Sequence, residues 1–206
     1  MINLGDKMNK RLLVDPLRDR ENILYKSMIE RRTKRQISNA VLPEQVISDL
    51  LFSACGETKK GTKRAKNKRT IPSSCNSQKV CVYYADKTGV YKYLEKSHEI
   101  ELIKTGDYRK GMCRQKFFIN PPFILLYVAT KSGKSGVIKV NDSMEALLVG
   151  TEIGAMSQNV SLYCSANELS TTLIALNNVE YISDTLGLKE NEVFIYSQVV
   201  GYPKKK

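Results

Sequence analysis

Thr70-Ile71-Pro72-Ser73-Ser74-Cys75-Asn76-Ser77-Gln78 sets hydroxyls, amides and backbone N–H groups at short spacing around a proline. Pro72 fixes its own φ and disfavours helix at Ile71. The small side chains that follow can wrap a flat, polar-edged ligand without steric bulk. Taken alone, the stretch is a loop in front of an apolar run, Val80–Ala85. Two cationic stretches are the other candidates. Arg31-Arg32-Thr33-Lys34-Arg35 carries four cations in five residues and closes a helical pattern, where cations suit the helix dipole. Lys59–Arg69 carries seven cations in eleven residues, with no aromatic interleaved to stack on bases. It reads as an exposed, mobile, solvated loop, and nucleic-acid binding through it is the weaker reading.

The rest of the composition removes several chemistries. A net charge of +12 attracts anions: nucleic acid, anionic membrane or phosphorylated small molecules. Five cysteines, an odd number with no CxxC pair, and a single histidine, His98, argue against a zinc site and against a disulfide scaffold. Reduced thiols in a cytoplasmic protein are the expectation. No GxGxxG follows a strand, and both near-matches to a P-loop fail, at Thr62-Lys63 and at Val128. A Ser/His/Asp triad would have to use His98, and no nucleophile elbow supports it. Side-chain catalysis alone is therefore poorly supported, and a cofactor is expected to carry any chemistry. No apolar run reaches the ~20 residues of a membrane span. Leu12-Leu13-Val14 is too short for a leader, so no membrane partner is expected.

The elements that must position these residues follow from periodicity. Helices are expected over Glu21–Arg32, with an apolar stripe of Ile23, Leu24, Met28 and Ile29, and from Pro43 as first helical residue to a stop at Gly56. Val80–Ala85 reads as a strand buried on both faces. Val90–Leu94 and Glu99–Lys104 read as a hairpin, with His98 at its edge as a surface residue. Phe123–Ala129 reads as a central strand and Lys131–Lys139 as a loop. Asp142–Leu169 reads as a long buried helix with small residues along it. Thr171–Ala175 is a short extended piece, Val179–Leu186 a helix stopped at Gly187, and Glu192–Val200 the last strand. Strands and helices do not alternate, which predicts an α+β fold with helices on a mostly antiparallel sheet. Residues 1–20 are read as an extension, and residues 21–206 as a single domain that includes the basic loop 59–69.

Three stretches then fall into one pattern: Arg31-Arg32-Thr33-Lys34-Arg35, Pro72-Ser73-Ser74-Cys75-Asn76-Ser77-Gln78, and Lys204-Lys205 after Gly201-Tyr202-Pro203. Their order and spacing resemble the nitroreductase family of FMN-dependent oxidoreductases. Gly89-Val90-Tyr91-Lys92-Tyr93 and Gly154-Ala155-Met156-Ser157-Gln158-Asn159-Val160 are similar to the hairpin and long helix of one subgroup. The resemblance implies a nitroreductase-like α+β fold and an intertwined homodimer binding FMN at each of two interfacial sites. It assigns Arg31, Arg32, Thr33 and Arg35 to the phosphate and ribityl end, with Lys204 or Lys205 joining them; guanidinium groups and a hydroxyl suit a phosphate dianion. Arg35 alternatively lies near the pyrimidine edge, where a cation stabilises reduced flavin. Pro72, Ser73, Ser74 and Asn76 would reach the flavin from the partner chain. Leu173, Ile174 and Ala175 would lie along the ring with a backbone N–H near N5, and Gln115 is a further candidate for the pyrimidine edge.

The implied reaction is ping-pong hydride transfer from NAD(P)H to a nitroaromatic, quinone or other electron-poor small molecule, with no catalytic side chain required. The alternatives are a flavin-dependent dehydrogenase that oxidises a carbon or heterocyclic substrate and, from another class, a basic nucleic-acid-binding module. Cys75, Lys79, Glu168 and Leu173–Leu176 depart from the family pattern.

Overall fold

Phe123–Thr130 is the axis of the molecule. Seven of its eight residues are buried, and its side chains alternate between two cores. Phe123, Leu125, Tyr127 and Ala129 enter one, and Ile124, Leu126 and Val128 the other. That is the period of a strand, with both faces apolar, so something must cover each side. In this computed structural model, described over residues 13, 14, 16, 21–62, 67–115, 118 and 120–204, helices and loops do so.

In chain order the elements are α1 (Ile23–Glu30), α2 (Glu44–Cys55), β1 (Glu57–Lys59), β2 (Lys68–Arg69), a 3₁₀ turn (Ser74–Asn76), β3 (Val80–Ala85), β4 (Gly89–Leu94), β5 (Glu99–Thr105), β6 (Phe123–Thr130), β7 (Lys134–Ser135), β8 (Ile138–Lys139), α3 (Asp142–Ala166), β9 (Ser170–Ile174), α4 (Val179–Leu186) and β10 (Glu192–Gly201). Six strands form one sheet in the order β5-β4-β3-β6-β10-β9, each neighbouring pair antiparallel. The fold is α+β, as expected. Helices α2 and α3 supply Leu50, Leu51, Ala54, Val149, Ile153, Met156 and Val160 to the first core. Met112, Cys113 and Phe118, between β5 and β6, and Ile182 and Leu186 of α4 cover the second.

Several expected boundaries hold. The Val90–Leu94 hairpin pairs with its partner in register Leu94↔Glu99 and Tyr93↔Ile100. Helix α4 matches its predicted bounds and ends on Gly187 at φ 61°, the left-handed conformation glycine adopts most freely. Others shift. Pro43 is the N-cap of α2, one residue outside it. Gly56 does end α2, but with φ −59°; the Phe52 ring would lie 2.3 Å from any Cβ there, so close packing explains this glycine. The long helix stops at Ala166, and Glu168 follows with φ 56°. Lys131–Lys139 is a small hairpin rather than an open loop.

Two expectations are corrected in substance. The basic run is not uniformly solvated: β1 pairs with β2, Asn67 is buried, and the Arg69 side chain is 5% exposed. Residues 63–66 of that run, and most of 1–20, lie outside the described residues. Helix α1 turns its apolar stripe outward. Ile23, Leu24 and Met28 of the stripe are exposed and Ile29 is half-buried, Tyr25 is exposed beside them, and Ser27 is buried. The neighbouring α3 likewise exposes Met144 and Leu147, and the space around Gly150 and Gly154 is open. An amphipathic helix normally buries its apolar stripe; here the stripe faces away from the chain's own core.

Candidate functional site

Two groups of predicted residues sit at opposite ends of the sheet. The first gathers at the β9 edge. The Lys34 N–H donates to the Thr171 carbonyl (3.2 Å), and the Thr172 hydroxyl donates to the Lys34 carbonyl (2.9 Å). The strip then runs along the chain end: Ser38 N–H donates to Tyr202, Lys204 N–H donates to Gln36, and Ile37 bridges Pro203. These bonds set Lys34 against β9 and Gln36–Ser38 against Tyr202–Lys204, which brings the end of the Arg31–Arg35 stretch beside Lys204. Gly201 permits this closeness, since a Cβ there would meet Ile37 at 2.6 Å and Pro122 at 2.5 Å. Lys205 lies outside the described residues.

Thr33, Lys34 and Arg35 are exposed and Arg31 half-buried. Among the described residues none of Arg31, Lys34 and Arg35 pairs with a carboxylate. Arg32 is different: its guanidinium turns back onto the Ile29 and Arg31 carbonyls, both at 2.8 Å, at the end of α1. That is the helix-capping role of a terminal cation.

Strand β9 is a sheet edge. Thr171 offers its carbonyl outward to Lys34, and alternate residues of an antiparallel strand point their backbone groups the same way. The Leu173 N–H therefore faces the open edge. The Leu173 side chain is 43% exposed and Ala175 is exposed, but Ile174 is 1% exposed, inside the second core. Ile174 can offer a ligand only backbone. Gln115 joins this group, because Arg114 N–H donates to the Leu176 carbonyl and Cys113 bridges Asn177. Beneath β9 lies a buried polar cluster: Gln198 accepts from the Tyr127 hydroxyl (2.6 Å) and donates to Thr171 (3.0 Å).

The second group is the wall formed by Pro72–Gln78. Its backbone is strained, with Cys75, Asn76 and Gln78 at φ 49°, 51° and 51°. Such a conformation persists only when surroundings over-determine it. They do so here. Ser73 donates to Glu152 (3.0 Å) and accepts from the Gln78 N–H (2.7 Å). The Gln78 amide donates to Asn76 (2.9 Å) and to the Asn67 carbonyl (2.6 Å). Ser135 donates to Ser74 (3.1 Å), and Gly136, at φ 61°, fits against Cys75 where a Cβ would come within 2.9 Å.

Charges buried beneath the wall hold it in turn. Glu152 on α3 accepts from the Val80 N–H (3.4 Å) and lies 3.8 Å from Arg69, which also pairs with Glu95 at 2.6 Å. Burial pushes the Glu152 carboxyl above the usual carboxylate range, against the downward pull of Ser73, the Val80 amide and Arg69. One turn-pair earlier on α3, Glu145 is ion-paired with Lys79 and accepts from Ser132 N–H (2.9 Å) and Gly133 N–H (3.3 Å). Burial pushes this carboxyl up, but Lys79 and the two amides outweigh it and hold it below the usual range. Lys79 is thus a buried structural cation.

None of Arg69, Lys79, Glu145 or Glu152 was foreseen as part of the site. A usable signal existed: Glu145 and Glu152 fall on the helix face of Val149, Ile153 and Met156, where a carboxylate needs a partner. Cys75 is exposed in the wall, whereas Cys55, Cys113 and Cys164 are buried. Burial pushes the Cys113 thiol up to about 11 and the Cys164 thiol to about 12, so both are protonated and inert.

The sheet sets the separation of the two groups. Strands β3 and β9 are three places apart, about 14 Å at ~4.8 Å per strand. Val80 pairs with Ala129, whereas Val200 pairs with Phe123 at the other end of β6, about 20 Å away at ~3.4 Å per residue.

Comparisons agree with this architecture. The family model described as Nitroreductase family matches residues 28–202. Among solved structures, a chain described as a candidate nitroreductase from Ralstonia eutropha JMP134 is 25% identical with a TM-score of 0.78; the alignment covers 96% of this chain and 87% of that one. A chain of the Escherichia coli microcin synthetase McbBCD complex, solved with truncated pro-MccB17 bound, is 18% identical with a TM-score of 0.69, covering 97% and 77%. Nitroreductase A from Vibrio parahaemolyticus is 15% identical with a TM-score of 0.62, covering 89% and 69%. The last two share the fold. No curated protein matches significantly.

Proposed function

The chain belongs to the nitroreductase family, and from that premise we propose that it is an FMN-dependent oxidoreductase, with residues 21–206 as one flavin-binding domain that works as a homodimer. Family membership supports a flavin-type oxidoreductase in general. The observation that carries the finer reading is the exposed cationic strip Arg31–Arg35 joined to Lys204 beside an open strand edge. Cations without carboxylate partners, a hydroxyl and outward backbone N–H groups are the donor set that a phosphorylated, flat, acceptor-rich ring system requires.

Arg31, Thr33, Arg35 and Lys204 would hold the phosphate and ribityl end, with Lys205 completing the set. The Leu173 N–H would donate to the ring edge, and Gln115 would approach the pyrimidine. Pro72, Ser73, Ser74 and Asn76 of one protomer would cover the ring held by the clamp of its partner, because within one chain wall and clamp lie at opposite ends of the sheet. The outward stripes of α1 and α3 supply apolar surface for that dimer. When bound, FMN supplies two-electron transfer from NAD(P)H to an electron-poor acceptor such as a nitroaromatic or quinone. The chain's own work is to bind, orient and shield, and a cation near the pyrimidine edge favours the reduced state.

The test is direct. The purified protein is expected to be yellow, absorbing near ~450 nm and releasing FMN on denaturation. Stopped-flow mixing with NADH or NADPH is expected to bleach that band. A flavin-loaded protein bleached by neither would instead act as a dehydrogenase on a carbon substrate, and a colourless protein that binds DNA or RNA in a salt-sensitive way would overturn the flavin reading.

A further inference from the structure

The turn that ends β9 is held by one buried side chain, Asn177, which is 5% exposed. Its amide nitrogen donates to the carbonyl of Ile174, the last residue of β9 (2.8 Å), and its amide oxygen accepts from the Ser197 hydroxyl on β10 (2.6 Å). Only this orientation of the amide serves both partners, because the Ile174 carbonyl can only accept. Ser197 is itself fully buried and pairs with Ile174 across the two strands. The Asn177 N–H donates to the Ala175 carbonyl (3.0 Å), which closes the turn.

The peptide between Ile174 and Ala175 turns this tie into a direction. In a planar trans peptide the C=O and the N–H point opposite ways, and no peptide among the described residues is cis. An Ile174 carbonyl drawn inward to Asn177 therefore aims the Ala175 N–H outward, to the open edge that already carries the Leu173 N–H. Asn177 also reaches a second element. Its backbone bridges Cys113, the Arg114 N–H donates to the Leu176 carbonyl (3.1 Å), and the Asn178 N–H donates to the Met112 carbonyl (2.9 Å). The segment that carries Gln115 is thus pinned to the same turn. Apolar packing could hold this turn in place, but a buried amide is costly unless its bonds are made, so it also fixes which way the peptide faces.

We propose, on the flavin reading above, that Asn177 is a positioning residue of the flavin site. It acts through backbone rather than by contact: it aims the Ala175 N–H at the ring edge and sets Gln115 beside it.

The test uses the protein loaded with FMN that carries heavy nitrogen at N5, read by NMR, beside FMN titration and a thermal scan. In Asn177→Ala the N5 resonance is expected to move toward that of unbound FMN, and FMN to bind at least fivefold more weakly. Ser197→Ala removes only the anchor on β10 and is expected to move the resonance the same way by less. Asn177→Asp supplies the rescue. Its carboxyl regains a donor for Ile174 only when protonated, so its N5 resonance should approach that of the unmodified protein as pH falls from about 8 to about 5. The Cys113 thiol beside Ser197, pushed up to about 11, does not titrate in that range. An unmodified protein that holds no FMN would overturn the flavin reading and this inference together. Where the unmodified protein holds FMN, an unchanged N5 resonance in folded Asn177→Ala, or in folded Ser197→Ala if the first variant does not fold, would overturn this inference alone. Asn177 would then be a structural tie, whatever the fall in melting temperature. A resonance in Asn177→Asp that ignores pH would overturn it too.

Discussion

The wall at Pro72–Gln78 and the clamp at Arg31–Arg35 are built in opposite ways. The wall is strained and half-buried, and it is held by side chains whose charges the fold itself pairs: Glu152 with Arg69 and Ser73, Glu145 with Lys79. The clamp is exposed apart from the half-buried Arg31, held through its own backbone to β9 and the chain end, and its cations are left without carboxylates among the described residues. A surface that must present a shape is fixed in advance, whereas a surface that must present charge keeps that charge uncommitted. Loss of the buried ties beneath the wall should therefore unfold the protein before it changes binding, and loss of the clamp's cations should do the reverse.

The largest effect is expected at the root of the wall. Glu152→Ala strips Arg69 and the Val80 N–H of a buried acceptor, and breaking such a pair costs about 3 kcal/mol. For a chain of this size the melting temperature should fall by roughly 6–12 °C in a thermal scan. A drop of a degree or less would show that the wall is not held from below.

The clamp comes next, with the opposite signature. Arg31→Ala/Arg35→Ala is expected to lower FMN occupancy of the purified protein at least tenfold. Its apo form should melt close to the unmodified apo chain, because substitutions outside the core at side chains without ion-pair partners typically change stability by less than ~0.5 kcal/mol. Full occupancy in this variant would remove the clamp from the site.

Acid sharpens the contrast within the wall. Glu145 has a lowered pKa, so its stabilisation is present above its unfolded value near 4.5 and is lost as pH falls through the folded value. Glu152 has a raised pKa, so acidification from neutrality stabilises the fold between its folded value and 4.5. Melting curves from pH 7 to 3 should accordingly lose less on acidification in Glu145→Gln, and more in Glu152→Gln, than in the unmodified chain. Identical slopes would contradict the assignment of the two carboxylates. The smallest effect belongs to Ser135→Ala, which removes one tie to Ser74 and should cost about 1 kcal/mol in denaturant unfolding.

Local patterns were legible in the sequence. Continuous apolar runs located β3 and β6, short apolar or alternating runs located β4, β5 and β10, and Gly187 fixed the end of α4. The two ends of the candidate site were also legible as motifs. What holds the wall was not, because it is non-local: Ser73 and Glu152 are 79 positions apart, and Lys79 and Glu145 are 66 apart. Arg69 was hidden inside a charge run that composition alone makes solvent-facing, and only the pairing of β1 with β2 turns it inward. Helix α1 misleads for a related reason. Its apolar stripe is real, but it faces away from its own chain's core, so the pattern predicts a burial that this chain does not supply.

The central claim is that clamp and wall of one chain serve two different flavin sites. Mixed dimers test it: a clamp-deficient chain, Arg31→Ala/Arg35→Ala, is combined with a wall-blocked chain, Pro72→Trp, and FMN is counted in the isolated heterodimer. If sites are built in trans, one of the two pairs an intact clamp with an intact wall, and the heterodimer should hold about half the normal flavin while neither parent homodimer holds it. A heterodimer as empty as both parents would show that each site is built within one chain, and would contradict the account.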